Sequence, residues 1–347
     1  MGELKAVPLP LWSLLGVSYP AGQSKTREAM SVALNEGVLR ELEEWICDRH
    51  QIYRRKTNDL PPPWTTNQIL REWKYCNVFR ELDRGSQYAI KKIIPSLATK
   101  SLADAVFALL CYRIFNRIET YETLLAKEVS LEVCAYRPET LVAALEKQQS
   151  PIFTSAFTVC PMNFGRYKTF PTKLERVAAA MKDWCVALPT ISSTIDDKKT
   201  SQCTFQALRE LPGLGDFNAY QVCLDIGYCR PDLFDEDRFV VAGPGAKRGV
   251  DLCYDHRGGM SYSEAIAHLR DTMNARLASM TDLFNDRPSN KPILNLAATQ
   301  NCMCELSKYV RCKRGGRGGK VKYDGVGGGG PPPAKVAKVA KVAKVES

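Results

Sequence analysis

Apolar residues in this chain recur at three- and four-residue intervals over most of its length, and strand-like alternation is nearly absent. Val32, Leu34, Val38, Leu39, Leu42, Trp45 and Ile46 make one such stripe, with Glu and Arg between them, and predict a helix over 26–53. Thr65 or Thr66 is placed to cap a helix carrying Ile69, Leu70, Trp73, Val78 and Phe79. Leu102, Ala105, Val106, Leu109, Leu110 and Ile114 form a further stripe, and Leu124, Leu131, Leu141, Val142 and Leu145 belong to later ones. The same spacing predicts helices over 174–188, 201–211, 217–229 and from 261 to about 284. Residues 151–170, rich in Phe, Thr and Val, fit either a short hairpin or a loop. The fold class is mainly α.

With 347 residues the chain has ample material for a buried core. Its formal net charge of +10 is the usual footprint of an anionic partner such as nucleic acid, but the charge is uneven. Residues 311–347 carry +8 of it, and residues 1–310 only +2. From Arg311 the text turns to Arg-Gly-Gly repeats, then Gly327–Gly330, Pro331–Pro333 and four Ala-Lys-Val triplets, a composition that cannot offset the entropy of ordering. The tail resembles those of linker histones, and a non-specific solubilising tail fits equally. Three segments are therefore expected: an irregular stretch over 1–25, a helical domain over 26–323 and a disordered basic tail over 324–347. No apolar run reaches the roughly 18–20 residues of a membrane span, and no basic stretch precedes Val7–Val17 to make it a secretory signal. Thirteen scattered cysteines without that context read as reduced thiols. The expected compartment is nuclear if the source is eukaryotic, because of the basic tail, and cytoplasmic otherwise.

Leu211-Pro212-Gly213-Leu214-Gly215 lies between two helical segments and reads as the turn of a helix-hairpin-helix unit. Gly213, Leu214 and Gly215 would bring backbone N–H groups and a helix N-terminus to a DNA phosphate, although an ordinary helix–helix turn has the same punctuation. In DNA glycosylases built on this unit a catalytic Asp follows the hairpin by a little over twenty residues. Here 22 residues after Gly213 lead to Asp235, in the run Asp235-Glu236-Asp237, so Asp235 and Asp237 are the candidate catalytic carboxylates. A solvated acidic turn is the plain alternative. The lysine of lyase-type glycosylases would fall at Phe217, which excludes Schiff-base chemistry there. Gly243, Gly245, Lys247 and Arg248 lie in a glycine-rich stretch suited to wrapping an anionic group, yet it is not a P-loop. Asn77, Arg80 and Arg84 fall at i, i+3 and i+7, predicting one helical face with Asp83 beside it; a salt-bridged surface is the bland reading. Arg113 and Asn116 repeat the theme on a helix otherwise apolar, where a charge needs a partner. No Cys/His spacing fits zinc or an iron–sulfur cluster, and no metal or cofactor is expected.

Seven segments carry a resemblance. They are Trp45…Arg49-His50-Gln51-Ile52-Tyr53; Pro61-Pro62-Pro63-Trp64-Thr65; the run Tyr75–Arg84; Arg113-Ile114-Phe115-Asn116; the run Leu211–Tyr220; the run Gly243–Gly249; and the run Gln300–Glu305. In order, over about residues 40–323, they resemble the helical domain attached to 5-hydroxymethyluracil DNA kinases, a relative of the α-glutamyl/putrescinyl-thymine pyrophosphorylases. The resemblance implies a helix-hairpin-helix glycosylase-like fold acting on a modified base in DNA. In the related phage pathways, the hydroxyl of 5-hydroxymethyluracil is pyrophosphorylated and an amine then displaces the pyrophosphate. Since no P-loop is found, the name "kinase" is not expected to carry over.

The resulting expectation is an enzyme that extrudes a 5-hydroxymethyluracil-type base, or its pyrophosphorylated form, from double-stranded DNA and substitutes it at the 5-methylene. Lys247, Arg248, Arg80 and Arg84 would hold the leaving group and Asp235 or Asp237 would act on the reacting centre. A separate kinase or hydroxylase is one source of the activated base, and no membrane partner is expected. Two other classes stay open: a monofunctional base-excision glycosylase, and a non-catalytic DNA- or chromatin-binding module.

Overall fold

The computed structural model describes residues 32–155, 161–280, 282–286, 291–317 and 322. The expected segments 1–25 and 324–347 lie outside them. Strand β1 (Ala33–Leu34) pairs antiparallel with β2 (Tyr254–His256), and the chain then enters α1 (Glu36–Thr57). Asn35 sets this start, because its side chain accepts from Val38 N at 3.0 Å and its own N–H is tied to Cys253 O at 2.9 Å. The helix predicted from residue 26 therefore begins at Glu36. It runs on past Tyr53 to Thr57, its basic last turn of Arg54, Arg55 and Lys56 complementing the helix dipole.

The short α2 (Gln68–Glu72) is capped by Asn67, not by Thr65 or Thr66: Asn67 Oδ1 accepts from Ile69 N and Leu70 N. Thr65 instead receives the Asn67 N–H at 3.1 Å, two residues before the cap. The helix stops at Glu72, so Trp73, Val78 and Phe79 lie beyond it. A 3-10 turn, Arg80–Leu82, leads to α3 (Arg84–Tyr88), a π-helical turn (Ala89–Ile93) and α4 (Ile94–Ser96).

Helix α5 (Leu102–Phe115) is buried on nearly every side and is the centre of the fold. It packs against α8 (Lys173–Lys198) and α10 (Asp216–Cys229), while α6 (Ile118–Ala126) and α7 (Pro138–Leu145) complete that side. The described part of 151–170 holds no strand, only a 3-10 turn at Gly165–Thr169. Helix α8 outruns the predicted 174–188 because Pro189 faces solvent and the buried stripe resumes beyond it at Ile191, Ser192 and Ile195. Helix α9 (Ser201–Arg209) then packs on α8 and α10.

The other side is built from α1, α11 (Pro244–Cys253), α12 (Tyr262–Leu277) and α13 (Leu296–Lys313). The helix predicted to run to about residue 284 ends at Leu277. The closest helix pair is α11 on α13. A Cβ on Gly245 would lie 2.4 Å from Cys304 Sγ, and one on Gly249 only 2.0 Å from Met303 O. Glycines four apart thus let the two backbones touch. Among the described residues no helix is long and apolar enough to cross a membrane.

Candidate functional site

The expected hairpin falls in the turn between α9 and α10. Gly213 takes φ +75°, a left-handed conformation that suits glycine, and Gly215 is the N-cap of α10 without a side-chain cap. Leu214 plugs into the core, its carbonyl accepting from Arg209 Nη1 at 2.9 Å, and Trp184 Nε1 holds the Pro212 carbonyl at 3.0 Å. The turn is therefore pinned from two sides, and the Arg209–Asp216 ion pair lies at the start of α10.

Behind the hairpin, α10 carries a group that no sequence motif singles out. Asp225 is fully buried and shared by two guanidinium groups. Arg80 reaches its Oδ1 through Nη1 and Nη2 at 3.2 and 3.1 Å, and Arg113 binds it through Nη2 at 2.8 Å and through Nε. The remaining donors are also used. Arg80 binds the Gln221 side chain and carbonyl and the Tyr228 hydroxyl, and Arg113 binds Asn116 Oδ1 at 2.9 Å and Ser86 Oγ. Asn116 holds its place as the left-handed C-cap of α5. Burial alone would raise the Asp225 carboxyl, but the Arg113 and Arg80 charges outweigh it and hold it below the ordinary carboxylate value. Elsewhere on α10, the Tyr220 hydroxyl is buried with no hydrogen-bond partner among the described residues, a group of the kind that calls for an explanation.

The predicted face of Asn77, Arg80 and Arg84 does not form, because a 3-10 turn replaces the continuous helix. Arg80 turns inward to Asp225, whereas Arg84 starts α3 on the surface and pairs with Glu119 at 3.2 Å. Asn77 and Asp83 close the loop between them: Asp83 Oδ1 accepts from Asn77 N at 2.8 Å, and Asn77 Nδ2 donates to Leu82 O. Burial pushes the Asp83 carboxyl up to about 6, close to neutrality. Helix α13 joins this loop. Asn301 Nδ2 donates to Asn77 O at 2.7 Å, and the buried Glu305 accepts from Cys76 N while pairing with Lys308 at 2.5 Å. Three of the motif segments, around 77, 245 and 300–305, thus meet on one helix, α13.

The acids 235–237 sit at the N-terminus of α13. Asp237 Oδ1 accepts from Leu296 N at 3.2 Å and pairs with Arg270 at 3.1 Å; Glu236 binds Asn295 and, through its carbonyl, Ala297 N. Asp235 accepts from Asp237 N and pairs with Arg238, so each aspartate holds one N–H and one guanidinium, but the partner of Asp235 is exposed. The glycine-rich stretch is not a wrapping loop: Gly243 is the N-cap of α11, and Gly245, Lys247 and Arg248 already lie in the helix. A Cβ on Gly243 would approach Phe217 Cδ2 at 2.9 Å, so the first turn of α11 abuts the first turn of the hairpin's second helix. Lys247 stacks on Tyr262 at 5.3 Å, and Arg248 is exposed. Among the described residues no group of three His, Cys, Asp or Glu could hold a metal ion.

The 5-hmdU DNA kinase helical-domain family matches residues 36–317, from the first turn of α1 to the last turn after α13. The chain belongs to this family. The hairpin, the Asp225 seam, the Glu305 group and the acids at 235–237 all fall within the match. A curated relative, the 5-hmdU DNA kinase of Bacillus phage SP10, is 26% identical over 278 residues, covering 76% of this chain but 43% of the relative. The chain thus spans less than half the length of that protein. No solved structure matches it.

Proposed function

We propose that the chain acts on a 5-hydroxymethyluracil-type base in DNA, or on its pyrophosphorylated derivative, by extruding the base and substituting it at the 5-methylene. The family match over residues 36–317 carries this reading. Gly213–Gly215 and the start of α10 would grip the backbone, offsetting the few kcal/mol that extrusion costs. The bond from the 5-methylene carbon to the leaving oxygen breaks with its electron pair, and Lys247 and Arg248 on α11 receive the anion. The incoming nucleophile bonds to the same carbon and gives its proton to a carboxylate. Asp235 is the first candidate for that base, since its guanidinium partner Arg238 is exposed whereas the Arg270 that holds Asp237 is mostly buried. Asp83 and Asn77 serve by closing the 77–84 loop. Arg80, Arg113 and Asn116 serve by holding the 77–84 loop, α5 and α10 together around Asp225.

The kinase in the relative's name belongs to that longer protein, so it is tested here as a separate arm. Purified chain is incubated with 5-hydroxymethyluracil DNA, bare or pyrophosphorylated, with an amine donor and with or without ATP, and the nucleosides are read by mass spectrometry. A new 5-substituted nucleoside supports the proposal, and a phosphorylated one with ATP assigns the kinase to this chain. Free base and an abasic site would mark a glycosylase. Nucleosides left untouched by wild type and by the Asp235→Asn/Asp237→Asn variant alike would sink the catalytic reading and leave a binding module.

A further inference from the structure

The C-terminal end of α13 and α11 enclose a groove of about 280 Å³ lined by Leu252, Ser307, Val310, Arg311, Arg314 and Gly316. Its floor is apolar and its rim cationic. Arg314 is exposed, and its side chain makes no ion pair among the described residues. The turn beyond α13 positions its neighbour: Gly315 takes φ +81°, a Cβ on Gly316 would meet Arg311 Cγ at 2.7 Å, and Arg311 Nε donates to Arg317 O at 2.6 Å. Arg311 is thus held at the groove's edge by the backbone of that turn. Residues 311–322 hold six Lys or Arg and no acid. Of these, Lys313 is engaged by Glu41 and Glu44 and does not line the groove. The next cation along α11 is Arg248, exposed and one turn before Leu252, hence on the same helix face.

We propose that this groove is a second DNA-backbone contact that holds the duplex arm leading away from the hairpin. Helix α11 supplies the path, since its first turn touches Phe217 of the hairpin's second helix and its Leu252 lies in the groove. Ten helical residues at about 1.5 Å each span roughly 15 Å, which is four or five phosphates of one strand at about 3.4 Å each. An apolar floor fits deoxyribose, and guanidinium forks fit the phosphates on either side. The proposal rests on the chain's engaging DNA and is independent of any base chemistry.

The test uses the full chain and an unmodified duplex of about 20 base pairs, with binding followed by fluorescence anisotropy across a salt series. Neutralising both rim arginines in Arg311→Gln/Arg314→Gln should lower the salt slope by about 1 or more, at roughly 0.9 for each phosphate no longer neutralised. At about 100 mM salt the affinity should fall roughly tenfold or more. Arg314→Glu alone, which leaves the Arg311 turn intact, should weaken binding in the same direction. Lys91→Gln/Lys92→Gln removes two charges from the π-helical turn and should leave the slope unchanged. A wild-type slope in both groove variants, or an equal drop in the lysine control, overturns the groove as a DNA-binding surface. Failure of the wild type to bind duplex at all overturns it too, and identifies the DNA reading itself as the fault.

Discussion

Asp225→Asn is the sharpest perturbation of this fold. In the wild type one carboxylate with no solvent exposure serves two guanidinium groups, so the buried cluster carries a net charge of +1. The substitution raises this to +2 without changing the side chain's shape. It also turns one acceptor oxygen into an NH2 group that faces donors from Arg80 or Arg113. Removing one partner of a buried pair costs about 3–5 kcal/mol, because the remaining charge stays desolvated and uncompensated. For a domain of this size that lowers the thermal midpoint by roughly 6–20 °C, at about 2–4 °C per kcal/mol. Urea unfolding followed by circular dichroism measures it: the midpoint should fall with the m-value unchanged. Arg84→Gln is the control, since its pair with Glu119 is exposed and contributes less than about 1 kcal/mol. A loss below about 1 kcal/mol in Asp225→Asn would refute the reasoning. A triple Arg80→Met/Arg113→Met/Asp225→Leu chain should recover most of the stability, because no charge is then left in this cluster. Retained activity in that chain would show the seam to be scaffold only.

Three further outcomes follow from the same geometry. The Asp83 carboxyl is raised from 3.8 to about 6, so the folded state binds the extra proton between those values; stability should therefore decline by about 1–3 kcal/mol as pH rises through that window, and Asp83→Asn should flatten the decline in a pH series of urea midpoints. Gly249→Ala places a methyl 2.0 Å from Met303 O, forcing α11 off α13; a loss of about 2 kcal/mol or more is expected by chemical denaturation, and a neutral result would mean the two helices do not touch. Gly213→Ala must hold φ +75° with a Cβ, which should cost about 1 kcal/mol in stability and weaken duplex binding more than any exposed single substitution on α8, as read by anisotropy.

Much of the architecture was legible because helix formation and amphipathicity are written in local spacing. The stripes at 38–46, 102–114 and 217–229 became α1, α5 and α10, and Pro212-Gly213 became the turn between α9 and α10. Boundaries were less legible where a competitor won. Asn67 displaced the threonines as a cap because its side chain reaches two N–H groups, and Pro189 did not end α8 because the face it sits on is solvated. The glycines of 243–249, expected to wrap an anionic group, lie instead in α11 and at its N-cap, where Gly245 and Gly249, four apart, let it pack closely on α13.

By itself, the sequence determined the helical class, the place of the turn between α9 and α10 and the pairing need of Arg113, since a charge on an apolar helix cannot stay alone. Only the tertiary structure decided what answers that need. Asp225 lies in the run Val222-Cys223-Leu224-Asp225-Ile226, 112 residues from Arg113 and 145 from Arg80, and no local period connects them. A lone acid inside an apolar helical run was the one signal available, and it names a buried charge without naming its partner. Pairing across such distances is a property of how α5, α10 and the 77–84 loop pack, because desolvated charges are matched wherever the chain's burial brings them together, not where they stand in line.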